Sequence, residues 1–561
     1  MKKWNVKNKI SSDTYSKKTI IDTLLRERGI TSKQDIEDFF HPKDPVFLTS
    51  EDVGIDALSM QAFIKRVREA IGGKESIVVY ADYDADGITA GATLWEALYE
   101  LGAHVMPYIP NRREEGYGFS KKGLLAVKEK YNPTLIISVD HGITARDCVI
   151  FAKELGMEII VSDHHIKPDH LPECLLLHTA ILSGSGIAFF LASQLFHSYD
   201  KPDDYIRNLL PFPTIGTIAD MVPLVGPNRS IVKYGLMELN KTKRVGLLSL
   251  IKNAGLTERA LSTYTISHML APRINAMGRL THAMDALRLL CTKNENRADA
   301  LAQVLGSTNT KRQEMTVDTV LHAKNEVIRV YGDNPAKRIL VVGHESYDQG
   351  IIGLVAGRLM EEQYRPVIVL SVGETVSKAS ARSIQGFNII EAIRSFQDLL
   401  IDAGGHPLAA GFTIETKNIE LFKKKIEEYA EVHVLDEMLS RSLTVDMEIP
   451  LSVLSDSVWE GLQDFEPYGL GNPYPVFASR GVKVSDIRRI GKDQKHVKMK
   501  VAVLSNAKNI SSIDAIAFHQ AEAFSDIKSQ QSVDICFTVD MNEWNGKKSM
   551  QLKIQDVIAL V

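Results

Sequence analysis

The chain has 561 residues, 44% of them hydrophobic and 24% charged, a composition ordinary for a soluble globular protein and a length for roughly three domains of about 100–200 residues each. Its net charge of −4 does not advertise a nucleic-acid binder, although a local basic groove can sit under a balanced total when acids are committed to metals. Four scattered cysteines, Cys148, Cys174, Cys291 and Cys536, offer neither a close pair nor metal-ligand spacing, which speaks against a zinc module and for a reducing cytosol. The opening MKKWNVKNK is too polar for the apolar core of a signal peptide. The most apolar stretch, Ala180–Phe196, is broken by Ser183, Gly184, Ser185, Gly186, Ser193 and Gln194, so it reads as a buried helix rather than a membrane span.

Up to about Gly73 the pattern is one of helices and connectors, with helices predicted at Lys18–Gly29, Ser32–Phe40 and Ser59–Ile71, packed against the domain that follows. The next stretch, IVVYADYDADG (Ile77–Gly87), is a short β-branched run ending in three alternating carboxylates. It predicts a buried strand that delivers Asp82, Asp84 and Asp86 to the rim of a sheet. In open α/β sheets ligands lie beyond the carboxyl ends of the strands, and acids placed there suit a cation. A calcium loop of EF-hand type fails as a rival, since its twelfth position is Thr93 instead of a bidentate Glu and a strand leads in. Further strands are predicted at Val105–Ile109, Leu135–Val139 and Ile159–Ser162, with helices near Thr89–Leu101, Ser120–Tyr131 and Thr144–Leu155 between them. That order makes a mostly parallel, doubly covered sheet. Its strand ends carry Asp140 in SVDHG and Asp163-His164-His165 in SDHH, and Asp220 in GTIADMVPL follows a short helical or turn segment. Each has a plainer reading: Asp140 caps the next helix, Asp220 is a turn acid before Pro223, a His after a strand is a satisfied polar residue, and Asp86 caps the helix that begins near Ile88. Clusters gathered on one edge of one sheet argue together for a metal site.

Residues 229–331 read as mainly helical, with apolar recurrence at Ala283–Leu290 and a long helix from Asp299 to Val330 bridging two lobes. A new α/β unit begins with strands at Ile339–Gly343 and Val367–Leu370 and carries SKASARS (Ser377–Ser383) and AGGHP (Ala403–Pro407). Paired glycines let backbone amides approach an anion, so Gly404, Gly405, His406, Ser380 and Arg382 are candidate phosphate contacts; the alternative is a tight turn. After a charged helical stretch, Glu415–Ser440, strands at Val482–Ile490, Val497–Leu504, Ile513–Phe518, Val533–Val539 and Met550–Ile554 suggest a small barrel of OB type. There Arg488, Arg489, Lys492, Lys495, Lys498 and Lys500 interleave with Phe477, Phe518 and Trp544, the make-up of a sequence-independent single-strand grip. The plainer reading is barrel core and, for Trp544 beside Asn545-Gly546, a hairpin tip.

DYDADG, the isolated Asp of VDHG, the Asp-His-His signature and the Asp of IADMVPL resemble, in that order, motifs one to four of the DHH phosphoesterases. IPNRREEGYGFS (Ile109–Ser120), PRINAMGRL (Pro272–Leu280), QGIIGLVAGRL (Gln349–Leu359) and AGGHPLAAGF (Ala403–Phe412) narrow the likeness to the RecJ branch, the single-strand-specific 5′→3′ DNA exonucleases. The likeness runs from the RERG near Arg26 to the C-terminus. Two departures bear on loop shape: the segment between His165 and Gly184 is short and lacks an expected Asn-Pro, and Ala81 replaces a common Gly.

The resemblance implies an α/β protein with an N-terminal helical preamble (1–73), a parallel-sheet DHH catalytic domain (74–228), a helical linker (229–331), a second α/β DHH-associated domain (332–440) and a C-terminal OB-like β-barrel (441–561). It also implies two divalent cations about 3.5–4 Å apart, Mn²⁺ in first place for mixed imidazole and carboxylate donors and Mg²⁺ as the alternative. In the family's scheme Asp140 bridges the ions, Asp82 holds one, and Asp84, His164 and Asp220 hold the other. Related pyrophosphatases add a His four residues before the first Asp; that place is Val78 here, leaving one ion with fewer protein ligands. His165, expected to point away from His164 along an extended segment, is assigned to the scissile phosphate or the leaving group. Asp163 and Asp86 would orient a ligand or a water, and Arg273, Asn275 and Arg279 would contact phosphate. The activity expected is release of 5′-mononucleotides from the 5′ end of single-stranded DNA, in repair and recombination. One rival is a phosphodiesterase for short oligoribonucleotides or cyclic dinucleotides, which has no use for a strand-binding barrel. The other is a non-catalytic DNA-binding scaffold, which has no use for uncompensated acids at one edge. The partners expected are single-stranded DNA, with helicases or single-strand-binding proteins beyond it, for a cytoplasmic monomer that meets no membrane.

Overall fold

Ser76–Ala81 is buried on both faces, as a strand inside a covered parallel sheet must be. Ile77, Val79 and Ala81 enter one apolar cluster and Val78 and Tyr80 another, the period-two division that a pleated strand imposes. The computed structural model describes residues 3–9, 16–333, 335–504, 510–544 and 547–560. Two units divide the chain: Asp13–Asn309 with Val453–Pro475, and Met1–Ser12 with Thr310–Ser452 and Val476–Val561.

In the first unit the strands lie in the order His104–Tyr108, Ser76–Ala81, Leu135–Val139, Glu158–Asp163, Leu175–His178, all parallel. The chain leaves Ser76–Ala81 toward one edge and returns on its other side, so a topological switch point lies between Ser76–Ala81 and Leu135–Val139. Register sets Ala81 beside Val139 and Val139 beside Ser162, which places Asp82, Asp140 and Asp163 in one row at the carboxyl rim. Helices Lys121–Tyr131 and Arg146–Glu154 cover one face, while Ala85–Glu100, Gly184–Ser198 and Pro211–Ala219 pack on the other. The Ala180–Phe196 stretch is thus a buried helix in part, and no helix among the described residues is long and apolar enough to cross a membrane.

In the second unit, Leu340–His344 and Val367–Ser371 run parallel, and Val376–Arg382, Ala409–Glu415 and Leu400–His406 extend the sheet antiparallel. Strands Phe477–Ile490, His496–Leu504, Ile510–Ala517, Lys547–Ala559 and Ser532–Trp544 pair in that order and close through Phe477–Ile490 with Ser532–Trp544, forming a five-stranded barrel. Glu295–Tyr331 is one helix of 37 residues, longer than the Asp299–Val330 span read from periodicity.

Two features escape the periodic pattern. Lys3–Lys9 is a strand, not a connector, paired in parallel with Ser442–Glu448. Val453–Pro475, expected within the barrel domain, belongs to the first unit, where Arg229 holds it. Arg229 is 1% exposed; its guanidinium donates to the carbonyls of Phe39, Phe465, Glu466 and Pro467 and lies 3.9 Å over the Phe39 ring. Hydrogen bonds to a charged group contribute about 1.5–3 kcal/mol each, enough together to offset the several kcal/mol needed to desolvate the cation. Burial still lowers the Arg229 pKa to about 10. Arg229→Met removes the guanidinium donors to the Phe39 and Glu466 carbonyls, at about 1–3 kcal/mol each, while Asn472 still donates to those of Phe465 and Pro467. A drop of roughly 5–10 °C in the thermal midpoint is expected by calorimetry; an unchanged midpoint would remove this clamp from the fold.

Candidate metal centre

Six side chains predicted as ligands or catalytic groups meet at the rim. Asp82, Asp84 and Asp140 present carboxylate oxygens within 4.8 Å of one another, and the carboxylate oxygens and ring nitrogens of Asp140, His164 and His165, and again of Asp86, His164 and Asp220, come equally close. Asp140 is common to the first two groups, the position a bridging carboxylate needs. His164 Nε2 lies 3.1 Å from Asp140 Oδ1 and 3.7 Å from Asp220 Oδ2. Asp82 Oδ1 and Asp140 Oδ1 are buried without a hydrogen-bond partner among the described residues, so the short approach of His164 is one of converging lone pairs, not of donor to acceptor.

Electrostatics point the same way. Burial first, and then neighbouring carboxylates, raise Asp82, Asp84 and Asp140 above the usual carboxylate range and lift Asp220 to about 8. Burial lowers the His164 pKa, keeping its imidazole neutral and able to ligate. Acids that oppose one another's ionisation in a buried site, next to a neutral imidazole, fit divalent cations. Carboxylates and imidazoles together suit Mn²⁺ or Mg²⁺.

Local structure explains the placement. Asp140 has φ +69°, a left-handed conformation that costs about 1–3 kcal/mol but that Asp tolerates better than most residues. Its amide donates to Ser162 O at 3.0 Å, and a Cβ on Gly184 would lie 2.4 Å from Asp140 Oδ1, so only glycine lets that helix start approach. Asp84 also caps the Ala85–Glu100 helix by accepting from Gly87 N at 3.0 Å, which sets it beside Asp82; the resemblance had grouped it with His164 and Asp220. Asp84 and not Asp86 caps that helix; Asp86 accepts from Gly184 N at 2.7 Å and Ser185 N at 3.0 Å, gripping the start of Gly184–Ser198. Val78 is fully buried in the sheet, so nothing at that position reaches the rim.

The expected divergence of the two histidines is overturned. The chain bends at His165 because Asp163 Oδ1 accepts from His164 N, His165 N and His165 Nδ1 while Oδ2 accepts from Ile143 N, and the two rings sit 4.6 Å apart. Burial disfavours charge on both Asp163 and His165, but their hydrogen bond outweighs it, depressing Asp163 and raising His165 to about 9.

Other predicted contacts divide. Arg273 turns to Met269 O at 2.6 Å and to Asn253 Oδ1 at 3.3 Å, and Asn275 Oδ1 accepts from Ala85 N at 2.8 Å. PRINAMGRL therefore braces the DYDADG loop; a Cβ on Gly278 would lie 2.1 Å from Tyr83 O. Arg279, with Arg112, carries positive charge felt at Tyr83. In the second unit, register aligns His406 with Ala409 and Arg382, and Gly404 with Gly411 and Ser380, so these predicted residues share one sheet face. Gly404-Gly405 is the end of a strand whose turn falls at Pro407-Leu408, not a turn itself. On the barrel Phe477 is core and Phe518 is exposed, Lys498 pairs with Asp514 at 2.9 Å, and the Trp544 side chain and Asn545-Gly546 lie outside the described residues.

Several neighbours gave no separate signal in the sequence. Arg112 sits 5.1 Å over the Tyr83 ring, the Tyr117 hydroxyl is 3.4 Å from His165 Nε2, and His178 Nε2 donates to His165 O at 2.7 Å. His141 donates to Tyr80 O at 3.0 Å, and burial lowers its pKa to about 4, so a neutral ring buttresses the Asp140 turn. Arg112, Tyr117 and His141 lie inside motifs already quoted; His178 ends an unremarked edge strand.

A parallel sheet whose rim gathers acids and histidines able to hold divalent metal is the architecture of a DHH-type phosphoesterase. The chain matches the family models described as DHH family, N-terminal domain, over residues 76–217, DHHA1 domain over 336–432 and RecJ OB domain over 445–556. It is 34% identical over 550 residues to the single-stranded-DNA-specific exonuclease RecJ of Bacillus subtilis (96% of this chain, 67% of the relative) and 33% identical over 498 residues to that of Thermus thermophilus (88% and 70%). The crystal structure of Thermus thermophilus RecJ in complex with Mn²⁺ superimposes with a TM-score of 0.82 at 28% identity, covering 100% of this chain and 80% of that one. The chain belongs to the RecJ family of single-stranded-DNA-specific exonucleases. Because Asp163 Oδ1 accepts from the His164 amide and so sets that residue's backbone, and Asp140 joins two ligand groups, Asp163→Asn is expected to weaken Mn²⁺ binding about 10–100-fold and Asp140→Asn at least as much. Calorimetric titration of Mn²⁺ checks this, and wild-type affinity in both variants would dissolve the proposed centre.

Proposed function

We propose that the chain removes 5′-mononucleotides from the 5′ end of single-stranded DNA, using two divalent cations held by Asp82, Asp84, Asp140, His164 and Asp220. The observation that carries this reading is the convergence of these donors around two buried, unpartnered carboxylate oxygens. Bound divalent cations would neutralise phosphate charge and lower the pKa of an attacking water. Asp140, common to two of the donor groups, would be the carboxylate shared between them. Asp163 accepts a hydrogen bond from His165 Nδ1, which leaves Nε2 of that ring to contact the scissile phosphate or its leaving oxygen. Asp86 and Gly184 hold the second layer rigid, and Arg112 and Arg279 bring positive charge to the Tyr83 side.

The Ser380–Arg382–Gly404–His406 face would take a neighbouring phosphate. Burial lowers the Arg382 pKa without bringing an acid near it, which leaves a guanidinium open to an anion. The barrel would follow the strand through exposed Arg488 and Lys500 and the open face of Phe518. On this reading the catalytic domain spans about 74–228, the second α/β domain 332–440 and the strand-binding domain 441–561, with 453–475 returned to the catalytic unit.

End-labelled strands incubated with purified protein and Mn²⁺ should yield mononucleotides from the 5′ end of single-stranded DNA only. Asp140→Ala should abolish release while retaining strand binding, and continued turnover in that variant would refute the assignment. Arg488→Gln with Lys500→Gln should lower the slope of log K against log salt by about 0.7 for each phosphate that the pair neutralises in the wild type. An unchanged slope in titrations of a labelled strand would take the barrel's basic face out of the binding surface.

A further inference from the structure

Two close aromatic pairs, one stacked and one tilted, line one cavity of about 420 Å³ in the catalytic unit. Tyr264 lies over His268 with ring centroids 4.3 Å apart and planes at 19°, and Tyr468 packs on Tyr474 at 3.9 Å and 32°. Met221 and Leu470 complete the apolar lining, and the cavity lies within the range of about 300–1,000 Å³ usual for small-ligand sites. Tyr264 is 63% exposed, Met221 68%, Leu470 56% and Tyr474 47%; so many large apolar groups left open around one cavity mark a surface that something covers.

The cavity adjoins the metal centre through the chain itself. Thr217 and Ile218 of the Pro211–Ala219 helix line it, Asp220 follows, and Met221 lines it again. Met221 holds φ +61°, an unusual conformation for an unbranched bulky residue and one that gathers at functional sites. The Tyr468–Tyr474 wall is fixed with equal care: Leu224 N donates to Leu470 O at 2.7 Å, Asn472 donates to Phe465 O and Pro467 O, Arg28 donates to Asn472 Oδ1 and Pro473 O, and Arg229 binds the carbonyls just before. A buried arginine and a buried asparagine thus hold a distant segment against the turn that carries Asp220.

None of the residues lining the cavity is Lys, Arg, Asp or Glu, so it presents no guanidinium, ammonium or carboxylate to a charged group. Flat aromatic faces at its edge suit a neutral ring system, and every nucleobase has a face that stacks without regard to sequence. We propose that this slot takes a nucleobase of the strand close to the scissile phosphate at the centre that Asp220 helps to form, and so sets the register of the strand there. The inference deepens the proposed hydrolysis and rests on it.

The test is a cross of protein and strand changes, using 5′-phosphorylated oligonucleotides in which a single abasic position is moved along the chain. KM is measured with Mn²⁺ and Kd by fluorescence anisotropy with divalent ions withheld. At one abasic position near the 5′ end, the wild-type KM and Kd should rise roughly tenfold, the order expected for one missing base stack. Tyr264→Ala and Tyr474→Ala should raise both constants by a similar factor on the intact strand and erase the further penalty at that abasic position. Tyr264→Phe, which keeps the ring, should restore wild-type values. Penalties that simply add at every position, or wild-type KM and Kd in both alanine variants, overturn the slot and leave it to an apolar peptide. Protein that shows the binding coupling but never cleaves a strand would leave the slot standing and sink the hydrolytic reading instead.

Discussion

Like charges crowded into a dry rim are the constraint on which the catalytic unit depends. Asp82, Asp84, Asp140 and Asp220 cannot all ionise there on their own, because each is buried and neighbouring carboxylates raise the cost of its charge. Bound divalent cations would resolve this, and the surrounding architecture keeps the acids together. Asp84 and Asp86 each accept backbone amides at a helix start, where the helix dipole favours negative charge, so part of the acid load is met by the fold itself. Asp82 Oδ1 and Asp140 Oδ1 are left with no hydrogen-bond partner among the described residues.

That arrangement demands rigidity behind it. Gly184 and Gly278 permit backbone approaches that any Cβ would block, Asn275 closes over the start of the Ala85–Glu100 helix, and His141 and His178 each pin a backbone carbonyl beside the acids or histidines. Motifs that look like substrate contacts in a linear reading are here largely braces. PRINAMGRL is the clearest case: Arg273 and Asn275 bond to protein atoms, and of its three candidate polar residues only Arg279 directs its charge toward Tyr83.

Arg229 extends the same logic over a longer range. A cation buried among carbonyls is tolerated only when its donors are used, and the carbonyls it uses come from Phe39 and from the Phe465–Pro467 turn, far apart in the chain. The result is that Val453–Pro475 lies beside the Asp220 turn although the barrel strands follow immediately after it.

The parallel sheet, its helices, the rim acids, the second α/β unit and the five barrel strands were legible in the sequence, because each announces itself within a dozen residues through hydrophobic period, turn chemistry or a motif. The bounds moved by only a residue or two for Ser76–Ala81, Leu135–Val139 and Glu158–Asp163. The family resemblance likewise named the acids and histidines that meet. What the sequence could not show were relations between segments whose physics is not local: the pairing of Lys3–Lys9 with Ser442–Glu448, the return of Val453–Pro475 to the catalytic unit, the convergence of His164 and His165, and the use of Asp86 to hold a helix that begins at Gly184. Strand edges, buried carbonyls and carboxylates accept partners from anywhere in the chain, and which partner arrives is settled only when the whole fold has closed around them.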